Sequence, residues 1–159
     1  MVAKEIQKIN SQLRIVGLDV SKSAIARASK LCPQDQFFFI RDGERFPLAD
    51  SLIDFVLSIE VIEHVYDIEN SVSEITRVLK PGGKLLLTTP YHGFFKNILI
   101  ALFKFDDHFN PTGPHVRFFT KKTLSKLLQK YGFNIIRYHY FGRFYPLSHS
   151  MVIFAEKSL

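Results

Sequence analysis

A chain of 159 residues suffices for one domain with a core of ordinary size, and its 47% hydrophobic and 23% charged content excludes a disordered or fibrous polymer. The formal charge of +6 is spread among acids, so anionic partners are mildly favoured while a nucleic-acid binder is disfavoured. One cysteine, Cys32, excludes an intrachain disulfide and suits a reducing cytoplasm; residues 1–12 hold no signal-peptide core, and the apolar run near 98–103 is far short of the ~20 residues a membrane helix needs.

Val2, Ile6 and Ile9 are spaced like one helix face. Residues 13–19 read as a strand buried on both faces, the near-continuous apolar run a helix-covered parallel sheet requires. Ser21 is an N-cap candidate for a helix through Lys30, with Ile25 and Ala28 inward. Strands follow at 36–40 and 52–58. A helix over 68–79 has Ile68, Val72, Ile75 and Val78/Leu79 on one face. Pro81 cannot continue it, and Gly82 suits a left-handed exit. A strand at 84–89 comes next, then residues 94–105, apolar nearly all round. Phenylalanine is the compositional anomaly, with 16 Phe and no Trp, and it concentrates here. Thr120 can cap a helix over 121–131 that presents Leu124, Leu127, Leu128 and Tyr131 and ends at Gly132. Strands near 133–141 and 150–157 close the chain. Alternating strands and helices predict an α/β fold, doubly wound around a mostly parallel sheet, in a single domain over 1–159.

Residues 52–84, LIDFVLSIEVIEHVYDIENSVSEITRVLKPGGK, closely resemble the middle of a class I S-adenosylmethionine-dependent methyltransferase. Within that superfamily the chain is most similar to the group containing the ubiquinone and menaquinone biosynthesis methyltransferases, the "methyltransferase type 11" group. RIVGLDVSKSAIARA (14–28), FFFIRDGERFPLADSLIDFV (37–56) and GPHVRFFTKKTLSKLLQKYGF (113–133) extend the likeness over most of 2–157. The resemblance implies a Rossmann-like fold with an antiparallel C-terminal edge, S-adenosyl-L-methionine as cofactor, and methyl transfer to a small acceptor, apolar if the Phe-rich segment covers it. The alternatives are a non-catalytic methyltransferase-like partner subunit or inactive fragment, and a nicotinamide-binding domain. Leu79-Lys80-Pro81-Gly82-Gly83 argues against the last.

The family's glycine-rich loop should precede the ribose-binding acid by ~20 residues. With Asp19 as that acid, the loop would fall just before Met1, so the first strand is expected to be missing with it. Such a chain is expected to bind the cofactor weakly and to self-associate through an exposed sheet seam.

For the cofactor, Asp19 lies at the carboxyl end of a predicted parallel strand, where a carboxylate can accept from both ribose hydroxyls; the alternative is a helix-start acid. The resemblance has Asp42 accept from the adenine amino group with Gly43 beside it; the alternative is a plain Asp-Gly turn. It puts Ser58 and Ile59 beside the methionine part of the cofactor, mostly through backbone. Glu60, Glu63 and His64 would share one face of a helical turn at i, i+3 and i+4. They are the one candidate metal cluster; the Glu63–His64 pair could instead be an acceptor base or a structural anchor. His64 and His92 are the candidate catalytic bases, and His92 and His115 the candidate substrate contacts. Asp106, Asp107 and His108 lack ligand spacing. Residues 91–119 are expected to form a lid over the site; the alternative for 94–109 is a core helix.

Overall fold

The computed structural model describes residues 2–109, 113, 116–142 and 144–159. Two compact units divide the chain, Met1–Pro47 and Leu48–Leu159.

In the first unit, helix α1 (Val2–Ile9) precedes β1 (Val16–Asp19), α2 (Lys22–Leu31) and β2 (Gln36–Phe39). β1 and β2 pair in parallel, Val16 opposite Gln36 and Asp19 opposite Phe39. Parallel neighbours need a crossover, and α2 provides it. Ser21 caps α2 as expected, its Oγ accepting from the Ala24 N–H at 3.2 Å. Ala28 is buried on the inner face and Ile25 half-buried. β1 is shorter than expected because the Ile15 N–H is taken by Asp35 Oδ1 at 3.1 Å instead of joining the ladder.

The second unit runs β3 (Ile53–Ile59), a 3-10 turn (Ile62–His64), α3 (Ile68–Val78), β4 (Leu79–Pro90), α4 (Phe94–Phe103), α5 (Phe105–His108), α6 (Lys121–Lys130), β5 (Phe133–Phe141) and β6 (Ser150–Lys157). Its sheet has the order β3-β4-β6-β5, with β3 and β4 parallel and the last three strands antiparallel. The antiparallel edge is thus as expected. On β4, Leu85, Leu87 and Thr89 alternate onto one buried face, opposite Ala155, Ile153 and Met151 of β6. Val72, Ile75 and Val78 of α3 and Leu124 and Leu128 of α6 complete the buried set.

Hydrogen bonding divides the strands into two sheets, and among the described residues β1 and β3 each pair on one side only, with β2 and with β4. One expectation is corrected. Gly82 does not terminate α3. The helix ends at Val78, with Leu79 already extended at ψ 137, and Pro81 with the restricted Lys80 before it cannot resume it. Gly82, at φ +73, instead turns the chain within β4, where the pairing jumps from Ile53–Leu79 to Phe55–Lys84.

Arg77 fixes the entry to β3. Its guanidinium donates to Glu74 (2.8 and 2.6 Å), Asp50 (2.6 Å) and the Leu48 carbonyl (2.8 Å), and these carboxylates push its pKa up. The loop before β3 is thereby held to α3.

Candidate functional site

β3 and β4 run in parallel and end side by side, Ser58 opposite Leu87 and Ile59 opposite Thr88. Carboxyl ends of parallel strands are where ligands of such folds bind. Ser58 is half-buried there and Ile59 is exposed.

Glu60 leaves β3 in left-handed backbone, φ +49, a region that disfavours any side chain with a Cβ. Thr88 holds it there. The Glu60 N–H donates to the Thr88 carbonyl (3.1 Å) and Oγ1 (3.0 Å), while Thr88 Oγ1 donates to Glu60 Oε1 at 2.9 Å.

The strand's next hydroxyl performs a similar task one step on. Thr89 Oγ1 donates to Glu63 Oε2 at 3.1 Å. Glu63 is 1% exposed, and its other oxygen, Oε1, has no hydrogen-bond partner among the described residues. Its nearest cation candidate is His64 Nε2, 3.9 Å away and beyond hydrogen-bond reach. Burial raises the Glu63 pKa, against the opposing pull of its backbone and Thr89 hydrogen bonds. The His64 side chain is 41% exposed.

The expected Glu60–Glu63–His64 face is corrected. Glu60 lies before the 3-10 turn rather than on it, and its carboxylate turns to Thr88 while that of Glu63 turns to Thr89. Among the described residues no group of three His, Cys, Asp or Glu side chains could hold a metal, at this turn or at Asp106 and His108.

His115 lies outside the described residues, but the chain beyond it docks on the same turn. Val116 and Arg117 N–H groups donate to the Glu63 carbonyl (3.0 and 3.1 Å), and the Arg117 side chain donates to the carbonyls of Val65 and Tyr66. Phe119 then bridges to Tyr91, just past β4.

His92 is buried, 3% exposed. Its Nδ1 meets Asn97 Oδ1 at 3.3 Å, and its ring packs against Phe118 and His108 at centroid distances of 4.8 and 5.2 Å. Asn97 Oδ1 can accept from Nδ1 when that nitrogen carries the ring proton. Tyr91 beside it packs edge-on against Tyr140 and tilted against Tyr145. Burial first, and Tyr145 next, push its pKa up to about 12, so it is a neutral phenol near neutral pH. α4 starts just after this pair, at Phe94, and contains no buried residue.

In the first unit, Asp19 ends β1 and is exposed. Its Oδ1 accepts from the Ser21 N–H at 2.7 Å, and its other oxygen has no hydrogen bond among the described residues. Asp42 and Gly43 occupy a turn closed by the Glu44 N–H on the Arg41 carbonyl, with Gly43 at φ +78. The turn dipeptide is therefore a turn in fact, and its glycine leaves the backbone beside Asp42 uncovered by a side chain.

Sequence reasoning overlooked Thr88 and Thr89, the hydroxyls that hold Glu60 and Glu63, and Lys96, whose Nζ gathers the carbonyls of Tyr91, Ser148 and His149. Two threonines closing an otherwise apolar strand were the available signal for the first pair. Nothing local marked Lys96.

A model of the methyltransferase domain family matches residues 1–87. A Mycolicibacterium smegmatis protein described as a "probable S-adenosylmethionine-dependent methyltransferase" is 34% identical over 124 residues, covering 77% of this chain and 44% of that one. A malonyl-(acyl-carrier protein) O-methyltransferase of a Methylovorus species is 30% identical over 131 residues, covering 77% and 43%. The chain thus spans under half the length of these curated relatives. The crystal structure of an S-adenosylmethionine-dependent methyltransferase from Mesorhizobium loti superposes with a TM-score of 0.66 at 18% identity, over 91% of this chain and 80% of that one, a likeness of fold.

Proposed function

This chain belongs to the methyltransferase-domain family, and from that premise we propose that it methylates a small, apolar acceptor at the carboxyl ends of β3 and β4. The family's cofactor is S-adenosylmethionine. The observation that carries the proposal is Asp19: an exposed carboxylate at the end of a parallel strand, with one oxygen uncommitted.

In the first unit, Asp19 would accept from the ribose hydroxyls and Asp42 from the adenine amino group beside the backbone of Gly43. In the second, the main chain of Ser58 and Ile59 would meet the methionine portion. When bound, S-adenosylmethionine supplies an electrophilic methyl group. The chain's own contribution is alignment of the acceptor and exclusion of water, which dominate a direct displacement. Residues 91–119 would cap the acceptor. The outward Phe and Leu side chains of α4, beginning two residues after His92, support an apolar acceptor. His64 or His92 would take a proton only from an acceptor that must lose one.

Calorimetric titration with S-adenosylmethionine tests the reading, followed by transfer of labelled methyl to a panel holding a malonyl thioester, an amine and an apolar phenol. Binding of a nicotinamide cofactor in place of S-adenosylmethionine would sink it. A second reading, a non-catalytic subunit stabilising an active partner, draws on the one-sided pairing of β1 and β3, since a strand edge is a template for another chain, a second copy included. Cofactor binding without transfer to any acceptor would favour it.

A further inference from the structure

Glu60 is a carboxylate held against its own backbone preference. Its φ of +49 lies in the left-handed region, which glycine or asparagine enters more easily than a residue with a longer side chain. Thr88 alone supplies the three hydrogen bonds that fix it there: its carbonyl and Oγ1 accept from the Glu60 N–H, and its Oγ1 donates to Glu60 Oε1. The side chain so fixed is half-buried, and no cation meets it. Among the described residues Glu60 makes no ion pair, and its second oxygen, Oε2, takes no hydrogen bond. Its neighbour on the turn gives no relief. Glu63 is 1% exposed with Oε1 unpartnered among the described residues, and burial first, with the charge of Glu60 adding to it, opposes its ionisation. The carboxyl ends of β3 and β4 thus carry negative charge that the chain positions and leaves unbalanced.

We infer that Glu60 is a cation subsite of the bound cofactor, where its carboxylate meets the methylsulfonium of S-adenosylmethionine and favours it over the neutral, demethylated thioether. The inference rests on the reading that the main chain of Ser58 and Ile59, the two residues before it, meets the methionine portion. A metal is the other cation such oxygens attract, but no group of three His, Cys, Asp or Glu side chains among the described residues could hold one. Within the cofactor, the methionine ammonium comes with its own carboxylate. The sulfonium is the positive charge that nothing else in the molecule balances, so it gains most from a fixed carboxylate.

Calorimetric titration of the full chain with S-adenosylmethionine and S-adenosylhomocysteine, in buffer containing a metal chelator, tests this. Glu60→Gln keeps an acceptor for Thr88 and removes the charge. It should bind S-adenosylmethionine roughly fivefold more weakly or worse, bind S-adenosylhomocysteine within about twofold of wild type, and melt at the wild-type temperature. Thr88→Val leaves the charge but releases the side chain, and should narrow the same ratio of affinities; it remains the test if the glutamine variant does not fold. Binding of neither ligand by the wild type would sink the cofactor reading and this inference with it. Wild-type binding with a ratio unchanged in either folded variant would overturn this inference alone. So would equal weakening of both ligands by Glu60→Gln, which would assign the carboxylate to the amino-acid end, or wild-type binding that appears only when a divalent metal is restored.

Discussion

The Thr89 hydroxyl donates to Glu63 Oε2 at 3.1 Å, and both side chains are shut away from solvent. The last turn of β4 is thereby fastened to the 3-10 turn that follows β3, the two segments that border the candidate acceptor site. Thr89→Val keeps the shape and removes the donor. It takes from a buried carboxylate its one side-chain donor, so chemical denaturation should show a loss of about 1–3 kcal/mol, with Thr89→Ser close to wild type. Equal stability of the Val and Ser variants would mean the contact carries no weight.

Glu63→Gln should behave in the opposite sense near neutral pH. Burial raises the Glu63 pKa above its ordinary value of 4.5, so the folded state holds its proton more tightly than the unfolded one. The stability that follows is fully present below about pH 4.5 and drains away as the pH rises through the folded pKa. Glutamine is neutral throughout and can still accept from Thr89. The variant should therefore match wild type at low pH and exceed it at pH 7, by about 1 kcal/mol. A melting-temperature difference that stays flat between pH 4 and pH 7 would contradict this.

Thr120→Ala tests the start of α6. Thr120 Oγ1 accepts from the Thr123 N–H at 3.1 Å, and Thr123 Oγ1 accepts from the Thr120 N–H at 3.0 Å, a capping box with threonine in both places. Loss of the cap should cost about 1 kcal/mol in denaturant unfolding. Thr120→Ser should restore most of it.

These helix starts were legible because capping is local chemistry: Ser21 and Thr120 stand where a side-chain oxygen must meet orphan N–H groups. β5 and β6 kept their expected bounds because Gly132 and the apolar spacing fix them. The site was less legible. A threonine in a strand reads as a β-former, and only the register that brings Thr88 opposite Ile59 makes it a clasp on Glu60. Left-handed backbone at Glu60 carries no residue signature, so the E-x-x-E-H spacing suggested a helical face that does not form. A segment apolar all round has no period from which to read its solvent side, and the outward face of α4 depends on Lys96 meeting carbonyls more than fifty residues away.

Asp19→Ala addresses the cofactor directly. One oxygen of Asp19 is spent on the Ser21 N–H at an exposed position where water can replace it, so melting should change little. If the other oxygen receives the ribose, titration with S-adenosylmethionine should show roughly tenfold weaker binding or worse, since a hydrogen bond to a charged acceptor is worth ~1.5–3 kcal/mol. Measurable and unchanged affinity would reduce Asp19 to a residue that starts α2.

Lys96→Met asks what holds α4 in place. The Lys96 ammonium reaches three carbonyls, one just after β4 and two just before β6, and so pins the first turn of α4 to the end of the sheet. Methionine retains much of the apolar stem and loses the donor, leaving those carbonyls without the cation. Removing a charge-assisted contact of this kind costs about 1–3 kcal/mol. Because no residue of α4 is buried, little else resists its opening, and the loss should appear locally. Amide exchange in α4 should therefore quicken by roughly tenfold or more, while Leu85, Leu87 and Ile153, buried in the central ladder, keep their protection. Uniform acceleration across both regions would mean that Lys96 supports the whole sheet. Unchanged exchange in α4 would mean that its apolar inner contact at Ile100, not the cation, sets its position.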